Sequence, residues 1–411
     1  MGMISVNGGV CAASGFMAAS AAAGIRKKGR EDMALIFSKE PCTVAGTFTS
    51  NVVKAAPVQW DKKIVDSGNE VHAVVVNSGI ANACTGKAGF EDCQVLARSV
   101  AGQFGNVISE EQVLVASTGV IGMELPIRKM QAAITELVLK LEAGEENATL
   151  ASKAIMTTDT VNKEFAVEFE LSGKKVHLGG MTKGSGMIHP RMCTMLCFLT
   201  TDAAISKEML QKALSADIID TYNMISVDGD TSTNDTCVIL ANGTAGNKKI
   251  TEEDDDFRIF CEALHQVNST LATRMAADGE GASHLFTAKV VGAKDKDEAR
   301  TLARSVVSST LTKAAIYGKD ANWGRILCAM GYSGADFDPE KVDLYFVNDI
   351  GKIAVYKQGV PLDFDEDFAE EILSYKEVTA LIEMNEGSET ATAWGCDLTH
   401  EYVDINADYR T

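Results

Sequence analysis

Residues 181–203 read Met-Thr-Lys-Gly-Ser-Gly-Met-Ile-His-Pro-Arg-Met-Cys-Thr-Met-Leu-Cys-Phe-Leu-Thr-Thr-Asp-Ala. A glycine-rich turn at Gly184 and Gly186 runs through Pro190 to Thr194, which opens the apolar run 194–200. A hydroxyl at the start of a buried strand, behind a tight turn, is where an N-terminal nucleophile sits. Once chain cleavage frees its α-amine, that amine serves as general base for its own hydroxyl. An α-amine titrates near pH ~7.7–8.0, close enough to neutrality to accept a proton. Before cleavage the same Oγ can attack the carbonyl of Cys193, giving an ester that water resolves, and proximity makes that step intramolecular. A threonine opening a strand also packs as an ordinary strand residue, and the residues alone leave both readings open.

Outward from this stretch the chain alternates short apolar runs with Gly/Asn-rich turns. Residues 33–37, 43–49, 71–76, 113–116 and 165–171 read as strands, with helical spacing at 89–104 and again at 127–141, just after Pro126. Beyond 203, strands are expected at 284–291, 342–346, 352–357, 378–384 and 390–394. Helices are expected at 207–219, 254–276, 296–308 and 323–330. The acidic run 252–256 falls at a helix start, where carboxylates suit the dipole. Strands arrive singly and in hairpin-like pairs, so the expected class is α+β rather than a doubly wound parallel sheet.

Composition sets the outer limits. The 411 residues are 46% hydrophobic and 23% charged, a globular composition with a net charge of −19. A surface this acidic repels phosphate backbones and anionic lipid, which argues against nucleic-acid or membrane partners. The ten cysteines are scattered without a C-x-x-C pair, as expected of reduced, mostly buried thiols in a cytoplasm rather than a disulfide framework or zinc site. The Ala/Ser-rich stretch 10–24 precedes its nearest basic residues, Arg26, Lys27 and Lys28, the reverse of a secretory signal. P-loop, G-x-G-x-x-G, G-x-S-x-G and H-E-x-x-H motifs are missing. Asp228-Gly229-Asp230 starts like a calcium loop, but Thr233 and Ile239 occupy the positions that need Gly and Glu. A turn with substrate or structural duty is expected there.

The segment K-G-S-G-M-I-x-P-x-M-x-T-M-L resembles the signature of the ornithine acetyltransferase family, the bifunctional glutamate N-acetyltransferases. The resemblance covers nearly the whole chain. It includes Gly15-Phe16 with Gly24-Ile25, then Thr47-Phe48-Thr49-Ser50-Asn51 and the block from Asn77 to Gly86. Ser117-Thr118-Gly119-Val120-Ile121-Gly122, Thr157-Thr158-Asp159-Thr160 and the block from Asp228 to Asp235 follow. Asp278-Gly279-Glu280-Gly281, the block from Gly318 to Arg325 and the tail from Ile405 to Thr411 complete it. Any one block is weak; all of them in family order are specific.

The resemblance implies a layered α/β sandwich of mixed sheets, the fold of the self-processing aminopeptidases and ornithine acetyltransferases. It implies self-cleavage between Cys193 and Thr194 into an α fragment, 1–193, and a β fragment, 194–411, interlocked around one active site. Two of each would form a heterotetramer. The acetyl group of N-acetylornithine would pass to Thr194 and then to glutamate, giving ornithine and N-acetylglutamate in arginine biosynthesis. Thr118 and Gly119 match the family's oxyanion pair, a role the charge on a tetrahedral intermediate requires. Thr157, Lys183, Thr194, Glu280, Asn406 and Thr411 fall on its substrate contacts. Their types suit an amino acid, since Lys183 can meet a carboxylate and Glu280 an ammonium. No cofactor or metal is implied; family members differ in using acetyl-CoA as donor.

The sequence departs from the family in two places. Cys193 and Arg191 stand where Ala and Asn are usual, and Asn162 replaces a common Pro near Thr160, expected to loosen that loop. Two rival readings stay open: a self-processing aminopeptidase-like hydrolase with water as acceptor, and an uncut, inactive metabolite-binding paralogue.

Overall fold

The aliphatic run beginning at Met33 forms one 16-residue strand, Met33–Phe48, where the sequence suggested two. Its pairing with Val71–Ile80 shifts register between Phe37 and Cys42, and the exposed Lys39, Glu40 and Pro41 lie in that shift. Proline lacks a ladder donor and is tolerated at such an irregularity. The two expected strands are thus two pairing partners of one strand: its first part bonds Val71–Ile80, its last part Thr236–Ala241.

The structure is a computed structural model and describes residues 2–26, 29–105, 107–189 and 195–408. Among these, the chain forms two compact units, one of 2–184, 195–219 and 231–271, the other of 185–189, 220–230 and 272–408. Each unit draws on residues from both sides of the 193/194 bond.

In the first unit, nine described strands form a mixed sheet. Its order is Ile4–Val6, Lys163–Leu171, Lys174–Lys183, Leu196–Thr201, Thr236–Ala241, Met33–Phe48, Val71–Ile80 and Val113–Val120, with Phe16–Ala21 also paired to Met33–Phe48. The helices Ala56–Ser67, Gly86–Gln103, Ile127–Leu139 and Glu145–Ala154 bury Trp60, Leu96, Ile134 and Ala151 in one core with Val74, Val76 and Leu114. In the second unit, seven described strands run in the order Val360–Pro361, Gly351–Lys357, Asp343–Asn348, Glu377–Glu383, Leu285–Ala293, Glu389–Cys396, Ile225–Ser226. The helices Lys296–Ser308, Trp323–Gly331 and Glu366–Leu373 pack on it through Leu302, Val306, Ile326 and Ile372. Each unit is a mixed sheet carrying helices, the α+β class expected.

Several elements escaped the sequence reading. The strand Phe16–Ala21 lies within the Ala/Ser-rich stretch and is buried over most of its length, so its small residues give no alternation. Lys174–Lys183 begins with polar residues and carries Gly179-Gly180 in its second half, so it also lacks a period-2 pattern. The run expected as a strand from residue 194 pairs from Leu196, with Met195 outside the strand. No described helix is long and apolar enough to cross a membrane. Among the described cysteines, Cys84 and Cys328 are exposed, while Cys42, Cys93, Cys197, Cys237 and Cys396 are buried.

Candidate active site

The hairpin turn at Ser172-Gly173 reverses the chain into Lys174–Lys183, whose final residue ends up only 7% exposed. Burying an ammonium is costly unless it is paired. Lys183 Nζ donates to Thr157 Oγ1 at 2.6 Å, sits 3.5 Å from Thr118 Oγ1, and lies 3.7 Å from Asp159 Oδ2. Three residues singled out in the sequence, Thr118, Thr157 and Lys183, therefore converge on one ammonium.

Asp159 underlies this cluster. Its Oδ1 accepts from Lys163 Nζ and from the Gly184 N–H, both at 2.8 Å, and its Oδ2 accepts from the Thr157 N–H at 3.0 Å. Burial alone would raise its pKa, but the Lys183 and Lys163 charges and these hydrogen bonds outweigh it and hold the carboxyl well below the usual range. Arg26 fixes the same loop from outside, donating through Nη2 to the Thr157 carbonyl at 3.0 Å.

Thr118 and Gly119 close the strand Val113–Val120, paired in parallel with Ser78 and Gly79. Gly119 has φ +131°, and a Cβ there would lie 2.2 Å from the Gly79 carbonyl carbon. The position therefore requires glycine. Side chains bracket the strand end. Ser117 Oγ donates to Asn77 Oδ1 at 2.7 Å, and Asn234 Nδ2 donates to the carbonyls of Ala81 and Ser117 at 2.6 and 2.8 Å. Asn234 belongs to the Asp228–Asp235 block, so part of that block has the structural duty expected of it.

In the second unit the buried Glu280 accepts from Asn406 Nδ2 at 2.7 Å, and its own N–H donates to the Ser185 carbonyl at 2.9 Å. A Cβ on Gly186 would lie 2.3 Å from Glu280 Cδ, so this glycine lets the carboxylate lie against the chain. Asn406 sits on the helix His400–Ala407. The start of that helix is seated by Thr399, whose Oγ1 donates to the Gly281 carbonyl at 2.7 Å. Asp228 Oδ1 accepts from the Ile188 N–H at 2.9 Å, and its other oxygen takes the Met187 N–H. Burial nonetheless pushes the Asp228 carboxyl above its usual range, against the pull of these amides. It is a turn clamp, and among the described residues no cluster of three or more metal-ligating groups occurs.

The expected residues Arg191, Cys193, Thr194 and Thr411 lie outside the described residues. Two side chains went unassigned in the sequence: Asp159, inside the quoted Thr157–Thr160 block, and Asn234. An acid among threonines with a lysine four positions on was the available signal for Asp159. Asn162 Nδ2 donates to Ser152 Oγ at 3.0 Å and reaches Glu164 Oε1 at 3.4 Å.

Comparison with known proteins adds an independent line. The family model described as the ArgJ family matches residues 17–411. The arginine biosynthesis bifunctional protein ArgJ of Thermotoga neapolitana is 50% identical over 386 residues, 94% of this chain and 96% of that one. The arginine biosynthesis bifunctional protein ArgJ 1 of Clostridium acetobutylicum is 50% identical over 396 residues, 96% of each. A solved ornithine acetyltransferase from Mycobacterium tuberculosis, complexed with ornithine, is 40% identical and covers 46% of this chain and 100% of its own, with a TM-score of 0.43.

Proposed function

The chain belongs to the ArgJ family, and on that premise we propose that it moves the acetyl group of N-acetylornithine to glutamate through an acetyl-Thr194 intermediate. It is an acetyltransferase of arginine biosynthesis. In this reading Thr194 becomes the free N-terminal residue of 194–411 after self-cleavage and attacks the acetyl carbonyl. Thr118 and Gly119 stabilise the oxyanion, a service whose loss costs about 10²–10³ in rate per donor. Thr157, Lys183, Glu280, Asn406 and Thr411 bind the amino-acid substrate, with Lys183 meeting a carboxylate and Glu280 an ammonium.

The observation that supports this most is the single ammonium of Lys183, held at 2.6 Å by Thr157 and 3.5 Å from Thr118. Residues distant in sequence meet where the proposal needs both oxyanion stabilisation and substrate charge. The test is transfer from N-acetylornithine to glutamate, with parallel double-reciprocal lines as a covalent acetyl-enzyme requires. Intersecting lines would mean direct transfer, and N-acetylornithine consumption that glutamate does not affect would mean a hydrolase.

The relatives are named bifunctional, which supports adding acetyl-CoA as a second donor for making N-acetylglutamate. Glutamate-dependent release of the CoA thiol tests that. We place the enzyme in the cytoplasm, as two α and two β fragments, on the resemblance and on the scattered spacing of its cysteines.

A further inference from the structure

We infer that Asp159 is a positioning residue, whose carboxylate sets the Lys183 ammonium and the Gly184 amide for the reaction, with Lys163 as the counter-charge that lets it be buried. Its catalytic consequence rests on the proposed acetyl transfer; its effect on Lys183 does not.

The geometry carries the argument. Asp159 gathers partners from separate stretches: the Thr157 N–H, the Lys163 ammonium, the Gly184 N–H and, at 3.7 Å, the Lys183 ammonium. It thereby ties the loop that carries Thr157 to the end of the strand that carries Lys183, and to the first residue of the glycine-rich turn. The side chains of Asp159 and Lys163 are 0% and 1% exposed. A buried ion pair is a poor device for stability, since apolar residues of similar volume often serve as well or better. Here one oxygen of the acid serves Lys163 and the turn, while the other serves the Thr157 loop and faces Lys183. A pair meant only to neutralise Lys163 needs none of the last three contacts. With the acid gone, Lys183 loses a nearby negative charge while remaining buried, which disfavours its charged form.

The experiment compares the full-length protein with Asp159→Asn/Lys163→Met, which removes both members of the buried pair, so that Lys163 is not left as an orphan charge. The readouts are the melting temperature, kcat and KM for acetyl transfer, and the titration of Lys183 in ε-¹³C-lysine-labelled protein. The signal is identified by its loss in Lys183→Arg. The expected result is a melting temperature near that of the parent, a Lys183 pKa lowered by roughly one unit or more, and kcat/KM reduced about 10- to 100-fold. A Lys183 titration unchanged in the double variant would overturn the inference and reduce Asp159 to a counter-ion for Lys163. Should the double variant not fold, Asp159→Asn alone takes its place with the same readouts: a lowered Lys183 titration is expected, and an unchanged one would overturn the inference. If the parent transfers no acetyl group, the proposed function fails, yet the titration still decides the role of Asp159.

Discussion

Gly119 and Gly79 lie so close across the parallel strand pair that a Cβ on Gly119 would fall 2.2 Å from the Gly79 carbonyl carbon. With φ at +131°, the backbone of Gly119 is also one that L-residues rarely adopt. Gly119→Ala is therefore expected to displace the strand end that carries Thr118. In the proposed reaction this should lower kcat by about 10²–10³, the scale of one lost oxyanion donor. Steady-state kinetics alongside a melting curve check it; a folded variant with unchanged kcat would remove this strand end from the chemistry.

The Asn406–Glu280 hydrogen bond and the close approach of Gly186 make three substitutions converge on one carboxylate. Glu280→Gln should raise KM for N-acetylornithine and for glutamate alike, by roughly 1.5–3 kcal/mol for a lost charged hydrogen bond. Gly186→Ala forces the Glu280 side chain to move and should imitate that change. Asn406→Ala should cost less, roughly 1 kcal/mol, because the charge itself remains. Initial-rate measurements with each substrate varied distinguish these outcomes, and an effect on one substrate only would mean that Glu280 reads a side-chain tip.

Asp61 gives a pH dependence of defined sign. It is fully buried on the helix Ala56–Ser67; its Oδ1 accepts from the Val115 N–H at 2.8 Å and its Oδ2 has no hydrogen-bond partner among the described residues. Burial raises its carboxyl well above the ordinary value of 3.8, against the opposing Val115 bond. Below that ordinary value both folded and unfolded chains hold the proton, and the group costs nothing extra. As pH rises above it, the unfolded chain releases the proton more readily, so stability falls until the folded group also ionises. In an uncut Thr194→Ala background, Asp61→Asn should flatten the stability profile from pH 4 to 8, measured by urea denaturation. Parallel profiles for the two proteins would show that Asp61 does not titrate differently on folding.

Asp159 carries the opposite sign. Its depressed carboxyl contributes stability that is present above its ordinary value of 3.8 and lost as pH falls below it toward the folded value. Acid unfolding should therefore begin below about pH 4 in the parent and be less steep in Asp159→Asn/Lys163→Met. Circular dichroism during acid titration reads this directly, and equal steepness would show that Asp159 is not held ionised by its lysines.

The ladder around Leu196–Thr201 predicts how cleaved fragments behave. That strand pairs antiparallel with Lys174–Lys183 and parallel with Thr236–Ala241, which in turn pairs with Met33–Phe48. Residues from both sides of the 193/194 bond thus share one sheet. The two fragments should co-elute on gel filtration and separate only in denaturant; separation in native buffer would contradict the sheet order.

How much of this was legible in the sequence depends on the kind of signal. Lys296–Ser308 was read with its observed bounds because its apolar stripe repeats at helical spacing, whereas Gly86–Gln103 begins three residues before the reading and Val71–Ile80 and Val113–Val120 each run four residues beyond it. Phe16–Ala21 and Lys174–Lys183 were missed because buried small residues and glycines carry no alternation. At the site, motif resemblance named Thr118, Thr157, Lys183, Glu280 and Asn406. It assigned nothing to Asp159 or Asn234, which act on neighbours through hydrogen bonds that only the fold brings together. The two strands read at 33–37 and 43–49 are one continuous strand, Met33–Phe48, because a register shift between Phe37 and Cys42 interrupts its pairing and not its backbone.

The most direct test of the central claim is the intact mass of the purified protein before and after incubation with N-acetylornithine. The account predicts two fragments, residues 1–193 and 194–411. The second should gain about 42 Da, one acetyl group, with the donor and lose it on adding glutamate. A single uncut chain after long incubation, or two fragments of which neither takes up acetyl, would contradict it.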